Sequence, residues 1–485
     1  MGYMKKAALL FLLIMIISPL YAQDIRKPTA SGGFYPDNPD ELRTVIMQLF
    51  KNVPADDITG DIKGIIVPHA GYTYSGPVAA YAYNILKNKR YDAVIIIAPS
   101  HSERFSNISI YPGSGLQTPL GVVPVAQELA KKLVKANSSL FSLSKKGYKT
   151  EHSIEVQLPF IQAVLPNTPV IPLVMGTQGL EISFMAGKTI ASVFKNDNIL
   201  IIASSDLSHF HPQTDAALLD GEVIDRIRHY DPFLLGLNVF IGKWEACGGG
   251  PIVAAMSAAQ FLGAHTAEIL RYATSGDATG DKSSVVGYVS AALTTGTPPR
   301  NEHTDEERAR LISLAREAVE EVVLGKVPSL QSKNIPAFLT EKGAAFVTLK
   351  IEGGLRGCIG QIFADKSLLN AVQFAAASAA INDDRFKPVT KEELEKLEYE
   401  ISLLSPLYPV YDINEIEIGK TGLLLVNGNR SGLFLPQVPA EQGWDRQQFL
   451  ENLGLKAELK KDAWKQKKTL LFAFTAEVFG KNQHK

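Results

Sequence analysis

Short apolar runs alternate with longer segments of helical spacing between residues 64 and 293. Several of these runs are apolar on both faces, which is typical of strands that lie inside a sheet and are covered by helices. The predicted strands are residues 64–68 (GIIVP), 93–99 (AVIIIAP), 170–175 (VIPLVM), 199–203 (ILIIA) and 285–291 (VVGYVSA). Helices are predicted at residues 77–86, 125–134, 154–165 and 251–262. The alternation predicts a three-layer α/β domain with a parallel or mixed sheet.

A polar, turn-rich stretch, residues 294–308, ends this pattern and has the composition of a linker that runs into a helix. Beyond it the apolar spacing from Leu311 onward is helical, and the Ala-rich segment 367–381 predicts a long helix. Strand-like runs lie at residues 344–351, 399–404, 432–435 and 470–479. We therefore predict a first domain at 23–296, a linker at 297–308 and, at 309–482, an α+β domain with a largely antiparallel sheet.

The N-terminal segment differs from the rest of the chain. Lys5 and Lys6 precede an apolar run, residues 7–17, and the small residue Ala22 stands before a polar continuation. This pattern predicts a signal peptide at residues 1–22, with export to the periplasm or the cell exterior and a mature chain that begins at Gln23. The run is short for a bilayer span, so no membrane association is expected after cleavage, and an uncleaved signal anchor is the alternative.

Charge and cysteine content narrow the function classes. The chain has 49 Lys and Arg against 50 Asp and Glu, which leaves no basic surplus for nucleic acid or an anionic membrane. Its two cysteines, Cys247 and Cys358, fall in different predicted domains. A disulfide between them is therefore the less economical interpretation, even in an oxidising compartment.

Polar residues follow three of the predicted strands in the first domain. His69 follows GIIVP, His101 follows AVIIIAP, and Asp206 and His209 follow ILIIA. In open α/β sheets, ligands bind outside the carboxyl ends of the strands, so these side chains can converge in one cleft. Taken singly, each histidine would be a hydrogen-bonded loop residue, and Asp206 would be a helix N-cap.

Two further segments of the first domain carry reactive side chains. Cys247 (CGGGPI) precedes a predicted apolar helix, where backbone donors and the helix dipole favour a thiolate. His152 (EHSIE) opens another predicted helix. Taken alone, the cysteine would be a small buried residue. Imidazole and thiolate together suit iron, copper or zinc, and the spacing matches neither a zinc finger nor an HExxH helix, which disfavours a closed structural zinc site.

Five motifs give the first domain a family resemblance. PHAGYTYSG, APSH, EHSIE, SSDLSH and CGGGPI, in this order over most of residues 28–293, resemble the Memo family, which is similar in fold to the LigB-type extradiol dioxygenases that use non-haem iron(II). The resemblance implies that His69, His101 and Cys247 are metal ligands. It also places the candidate catalytic residues in the same cleft, namely His209, Asp206 and His152.

One ligand departs from the dioxygenase pattern. Those enzymes use two histidines and a carboxylate, which leaves open positions for oxygen and substrate. Cys247 stands where the carboxylate would be, and Glu245, two residues away, is the alternative that the Memo pattern disfavours. A thiolate can itself be oxidised, so ordinary dioxygenase chemistry does not follow from the resemblance alone.

The second domain resembles the AMMECR family over about residues 309–480. The resemblance is carried by LRGCIG at 355–360, DDRF at 383–386, SLLSP at 402–406 and GLFLPQV followed by GWD. Arg356 in the first motif could hold an anion or a carboxylate. Cys358 is expected to be a small buried residue rather than a nucleophile, because no histidine lies within these motifs to activate it.

Families of these two kinds occur together with a radical-SAM protein in the AmmeMemoRadiSam system, and their fusion implies action on one molecule or partner. Export would separate the chain from a cytoplasmic radical-SAM partner. The leading hypothesis is a metal-dependent redox or dioxygenase-like enzyme, with iron(II) before copper or zinc as cofactor. It would act on an unidentified small molecule or protein that the second domain recognises. The alternatives are a non-catalytic metal- or peptide-binding module and a metal-dependent hydrolase.

Overall fold

The computed structural model describes residues 24–54, 58–296, 302–327, 335–466 and 468–480. The predicted signal peptide, residues 1–22, lies outside these ranges, as do residues 297–301 of the predicted linker. Within the described ranges, no helix has the length and apolar character needed to span a membrane.

The first part of the chain is built on a mixed sheet. Its strands are β1 (Ile25–Arg26), β2 (Ile62–Val67), β3 (Ala93–Pro99), β4 (Ile108–Ile110), β5 (Gly115–Thr118), β6 (Gly121–Pro124), β7 (Phe141–Leu143), β8 (Val170–Met175), β9 (Ile199–Ser204), β10 (His209–His211), β11 (Thr266–Thr274) and β12 (Val285–Thr294). Nine of them form one sheet in the order β10-β12-β2-β9-β3-β8-β4-β7, with β11 paired to β12. Strands β2, β9, β3 and β8 are parallel, and β12 and β4 flank them in antiparallel pairs. The prediction of a mixed α/β sheet is confirmed.

Helices cover both faces of this sheet. They are α1 (Pro39–Lys51), α2 (Gly76–Asn84), α3 (Gln127–Ala136), α4 (Leu158–Val164), α5 (Leu180–Phe194), α6 (Gln213–Arg228), α7 (Pro232–Phe240), α8 (Gly249–Phe261) and α9 (Ser275–Thr279). Along β3, Val94 and Ile96 pack with α1, α2 and α4, whereas Ile95 and Ile97 pack with α3, α5 and α8. Successive side chains of a strand point to opposite faces, so a run that is apolar at every position can supply two cores.

The last part of the chain has two antiparallel sheets. Its helices are α10 (Asp305–Val323), α11 (Ala337–Thr340), α12 (Leu368–Ile381), α13 (Gln437–Glu441) and α14 (Arg446–Lys456). Its strands are β13 (Lys342–Ile351), β14 (Gly354–Gly360), β15 (Lys366–Ser367), β16 (Glu398–Leu404), β17 (Tyr408–Pro409), β18 (Gly422–Asn427), β19 (Arg430–Phe434), β20 (Leu470–Phe474) and β21 (Ala476–Gly480). One sheet has the order β14-β13-β16-β21, with β15 on β13, and the other has the order β17-β20-β18-β19. The predicted antiparallel pairing is confirmed.

Three predicted segments differ from the structure in their boundaries or in their secondary structure. The run 470–479 is not one strand, because the chain passes from one sheet to the other at Thr475. Helix α10 begins at Asp305, within the predicted linker segment, where Thr304 and Glu307 form a capping box. The predicted helix 154–165 is a 3-10 turn, Glu155–Gln157, that continues into α4.

The two parts of the chain pack against each other through aromatic and charged residues. Phe472 of β20 lies edge-on to Phe184 of α5 at 4.9 Å and to Phe233 of α7 at 4.5 Å between ring centroids. Lys342 of β13 forms an ion pair with Glu222 of α6 at 2.6 Å. The second part therefore covers helices on one face of the first sheet.

Candidate metal centre

Three donor atoms from distant parts of the chain meet at the carboxyl edge of the first sheet. His69 follows β2, His101 follows β3, and Cys247 lies just before α8. The donor atoms of the three side chains all lie within 4.8 Å of one another. Cys247 Sγ is 3.1 Å from His69 Nε2, and the two imidazole centroids are 5.1 Å apart. Strand β9 lies between β2 and β3 and runs parallel to both, so the two histidines leave the sheet at the same edge.

The turn after β9 holds Cys247 beside the histidines. The backbone N–H of Asp206 donates to Cys247 Sγ at 3.2 Å, and the Cys247 N–H donates to the Asp206 carbonyl at 3.2 Å. The next residue, Gly248, packs so closely on this turn that a Cβ there would lie 2.4 Å from the Ser204 carbonyl oxygen. A side chain at this position would push the segment of Cys247 away from the turn after β9. Glycine is therefore required at this position for steric reasons.

A hydrogen-bond network fixes the tautomer of His69. The Ser204 hydroxyl donates to the Ser153 carbonyl at 2.7 Å and accepts from Gln157 Nε2 at 2.9 Å. A hydroxyl has one proton, so Ser204 accepts from His69 Nδ1, which lies 3.0 Å away. Burial, with a smaller contribution from the nearby His101, lowers the pKa of His69 to about 3. The ring is therefore neutral at neutral pH and presents the Nε2 lone pair toward Cys247, as a metal ligand requires.

Glu151 orients His101 in the same way. His101 Nδ1 is 2.8 Å from Glu151 Oε1, and the His101 N–H donates to Oε2 at 2.7 Å. The same carboxylate accepts from the backbone N–H groups of His152 and Ser153. Burial opposes the ionised form of Glu151, but these hydrogen bonds outweigh it and lower the pKa of its carboxyl to about 2. A charged Glu151 keeps the proton of His101 on Nδ1, which leaves the lone pair of Nε2 free to bind a metal.

The third donor, Cys247, is a neutral thiol in the protein without metal. Burial raises the pKa of the thiol, and the nearby charge of Asp206 raises it further. The prediction of a thiolate at the start of α8 is therefore wrong for the protein without metal, because the cost of desolvating the charged sulfur outweighs the favourable effect of the helix dipole. A bound cation would supply the missing positive charge and remove the proton. Two imidazole nitrogens and one sulfur form a donor set that fits a transition metal.

The other predicted site residues border the three donors. The ring of His152 stacks on Phe34 with 4.3 Å between centroids and lies 4.9 Å from the ring of His101. Burial, and then the neighbouring His69, lowers the pKa of His152 to about 4. His101, Glu151 and His152 form a second group whose donor atoms lie within 4.8 Å of one another. His152 therefore joins the site as a neutral imidazole.

Asp206 holds the backbone of His69 in place through a hydrogen bond. Its Oδ1 accepts from the His69 N–H at 2.7 Å, and its Oδ2 is 4.0 Å from His69 Nε2. The alternative interpretation as a helix N-cap is wrong, because the element that follows is the strand β10. Burial raises the pKa of the Asp206 carboxyl despite the hydrogen bond from His69.

His209 and Glu245 are not among the three donors, although His209 is near enough to help lower the pKa of His69. His209 starts β10, and its N–H donates to Glu245 Oε2 at 3.2 Å. The other oxygen of Glu245 is 2.9 Å from His211 Nε2. Among the described residues, neither His209 nor Glu245 belongs to a group of three close donors. Glu245 is therefore engaged by β10 and does not take the place of Cys247.

The two candidates of the second part are held by neighbours within that part. Arg356 forms a two-pronged pair with Glu393, with its Nε and Nη2 at 2.8 and 3.0 Å from the carboxylate oxygens. The anion that Arg356 holds is thus an internal one. Cys358 Sγ accepts from the Thr348 hydroxyl at 3.2 Å, its N–H donates to Asp383, and burial raises the pKa of its thiol. Both cysteines are free, so no disulfide links the two parts.

Residues that orient the ligands were not predicted as site residues. Glu151, Ser204 and Gln157 are almost fully buried, and each reaches a ligand directly or through one hydrogen bond. A signal for two of them was present, since Glu151 opens the EHSIE motif and Gln157 lies two residues after it. Buried polar residues in such a place need partners, and here the partners are the metal-site residues.

Glu151→Gln is expected to weaken metal binding about 10- to 100-fold, because an amide lacks the charge that holds the proton of His101 on Nδ1. The measurement is competition for the metal against a chelator of known affinity. Glu245→Gln is the matched control, since it alters another His–Glu pair outside the three donors. Equal affinities of the two variants, with the fold intact by circular dichroism, would show that Glu151 does not orient a ligand.

Comparison with known proteins agrees with the motifs. The family model described as Memo-like protein matches residues 26–292, and the model described as AMMECR1 matches residues 312–479. The first match covers more than half of the chain, which therefore belongs to the Memo family and carries an AMMECR1 domain after its Memo part. The family resemblance predicted from the sequence is confirmed.

Relatives with the same family name cover the first part of the chain. MEMO1 family protein MTH_45 of Methanothermobacter thermautotrophicus is 40% identical over 275 residues, which are 54% of this chain and 98% of the relative. MEMO1 family protein MJ0403 of Methanocaldococcus jannaschii is 39% identical over 286 residues, 56% of this chain and 99% of the relative. The solved structure of uncharacterized protein PH0010 from Pyrococcus horikoshii is 38% identical, with a TM-score of 0.36, and covers 37% of this chain and 93% of that one.

Proposed function

We propose that this protein is a metal-dependent oxidoreductase with a dioxygenase-like site, and that iron(II) is its metal. The observation that carries the proposal is the convergence of one donor atom each from His69, His101 and Cys247 at one sheet edge. The proposal includes the three-layer architecture of the LigB-type extradiol dioxygenases for the first domain. A mixed sheet with helices on both faces supports that part of it.

The donor set determines which metals the site would hold. Imidazole and thiolate suit iron, copper and zinc, whereas magnesium and calcium prefer oxygen donors. His69, His101 and Cys247 would hold the ion, and three protein ligands leave coordination positions for a substrate. Once bound, the ion would supply Lewis-acid and redox chemistry at those positions.

The residues around the ligands have roles that follow from their contacts. His152 is neutral at neutral pH and stacks on Phe34, so its ring is held beside His101 and can accept a proton from a hydroxyl group of a substrate. Asp206 keeps the backbone of His69 in place through its hydrogen bond. His209, on β10, lies at the edge of the site, where it can contact a substrate or exchange protons with solvent.

Oxygen uptake tests the proposed activity. The iron(II)-loaded protein is expected to consume oxygen in the presence of at least one catechol or small phenol in a broad panel. His152→Ala should lower the turnover rate about 10²-fold or more, because a positioned acid–base group contributes an effect of this size. Its metal content should not change. His211→Ala is the matched control, because that imidazole pairs with Glu245 outside the donors.

The alternative candidate is a non-catalytic module that binds a metal or a peptide in the same cleft. Cys247 in place of a carboxylate favours it, since a thiolate ligand is itself open to oxidation. Metal binding without substrate-dependent oxygen uptake across the whole panel would support this alternative and contradict the oxidoreductase.

A further inference from the structure

Glu155 is a carboxylate to which the proposed function assigns no role. It ends the EHSIE motif and begins the 3-10 turn that leads into α4. Its side chain is fully buried, so the carboxylate needs partners. Within the described chain, all the hydrogen-bond partners of this side chain lie in the N-terminal segment, residues 26–35. They are the Arg26 guanidinium at 2.5 Å, the Thr29 N–H at 2.9 Å, the Thr29 hydroxyl at 3.1 Å, the Ala30 N–H at 2.8 Å and the Tyr35 hydroxyl at 2.8 Å.

Two of these partners, Ala30 and Tyr35, are the ends of a tight turn. The Phe34 N–H donates to the Ala30 carbonyl at 2.8 Å, and the Gly32 N–H donates to the Tyr35 carbonyl at 2.8 Å. Gly32 has a φ of 82°, in the left-handed region that favours glycine, so the chain can reverse within these six residues. Glu155 therefore holds both ends of the turn that carries Phe34.

The turn places Phe34 against the metal centre. The ring of Phe34 stacks on the imidazole of His152, with 4.3 Å between the centroids and 27° between the planes. The Phe34 carbonyl accepts from the Tyr72 N–H at 2.8 Å, three residues after the ligand His69. The imidazole of His152 also lies nearly parallel to the ring of His101, and its side chain is 22% exposed. Phe34 thus covers part of an imidazole that borders a metal ligand.

We infer that Glu155 is a positioning residue of the metal centre, which holds the turn 30–35 so that Phe34 covers and orients His152. Each partner of Glu155 is a hydrogen-bond donor, and an ionised carboxylate, which only accepts, matches all of them. A glutamine amide would direct its own N–H groups at some of these donors, so the turn would shift. The inference rests on the proposed function in one respect, namely that His152 is the acid–base group being positioned.

Modification by diethyl pyrocarbonate tests the inference on the metal-free, full-length protein. The reagent acylates the unprotonated imidazoles that it can reach, and peptide mass mapping gives a rate for each histidine. Glu155→Gln and Phe34→Ala should each raise the rate at His152 roughly two- to fivefold, since an imidazole that is 22% exposed can gain at most about that factor in accessible area. The rate at His211, which pairs with Glu245, should stay unchanged and is the internal reference.

Two further variants separate positioning from general loosening. Tyr35→Phe removes one donor at one end of the turn, so it should raise the rate at His152 by a smaller factor with the fold intact. Asp24→Asn is the matched control, because it breaks the ion pair with Lys145 at 2.8 Å, which anchors the same N-terminal segment outside the turn. The rate at His152 should not change in this control.

A double variant shows whether Glu155 acts through Phe34. Glu155→Gln should add nothing to the rate at His152 in the Phe34→Ala background, because both changes remove the same contact. An unchanged rate at His152 in Phe34→Ala or in both variants of the turn contact, an equal rise at His211, or the same rise in Asp24→Asn would each overturn the inference. Oxygen uptake is not measured, so failure of the proposed oxidoreductase activity would leave these outcomes as they are.

Discussion

Anaerobically purified His69→Ala, His101→Ala and Cys247→Ser variants are each expected to lose most of the metal that the unaltered protein carries. Each substitution removes one of three donors, so the loss of affinity should exceed the roughly 10- to 100-fold cost of removing a supporting group. Elemental analysis of the metal-to-protein ratio, with iron, copper and zinc measured together, gives the result directly.

Matched controls for these variants come from the same chain. Cys358→Ser removes the other cysteine, which lies in the second part beside Thr348. His303→Ala removes a histidine that pairs with Glu477. Both controls should retain the metal. Unchanged metal content in all three ligand variants would show that the convergence of these side chains serves packing and not metal binding.

Phe472→Ala is expected to lower the free energy of unfolding by about 3–5 kcal/mol, the usual cost of removing a buried aromatic side chain. Phe472 is fully buried and contacts Phe184 and Phe233 across the boundary, so the cavity would open between the two parts of the chain. Urea unfolding followed by circular dichroism measures the loss. Phe374→Ala, at a ring that is 49% exposed on α12, is the control. If Phe472→Ala lowered the free energy of unfolding by no more than a small loss in the exposed control, the boundary would contribute little to stability.

The secondary-structure elements that were predicted best are those whose pattern is set by neighbouring residues in the sequence. The predicted strands 93–99 and 170–175 coincide with β3 and β8, because a buried parallel strand is a short apolar run between turns. Helices α5, α6 and α7 were not predicted. In α7 (PFLLGLNVF) nearly every position is apolar, so no helical period appears in nine residues. The break at Thr475 depends on which sheet each half joins, and no local pattern encodes that choice.

Part of the candidate site was predicted from the sequence, and the rest depends on contacts in the folded chain. Strand ends brought His69 and His101 together, since parallel neighbours share one edge. Cys247 is 178 residues from His69, and only the family resemblance made it a ligand. The tautomers depend on Ser204 and Glu151, whose hydrogen bonds exist only in the folded chain. The raised pKa of the Cys247 thiol depends on burial, which the sequence around it does not show.

A cobalt(II) titration tests most directly whether His69, His101 and Cys247 bind one metal ion together. A cobalt–thiolate bond gives sulfur-to-metal charge-transfer absorption, which reports on the ligand that distinguishes this site from two histidines and a carboxylate. We predict that this absorption rises to saturation at one cobalt(II) per chain, persists in Cys358→Ser and disappears in Cys247→Ser. Saturable cobalt(II) binding without charge-transfer absorption, or the same absorption in Cys247→Ser, would contradict the three-ligand site.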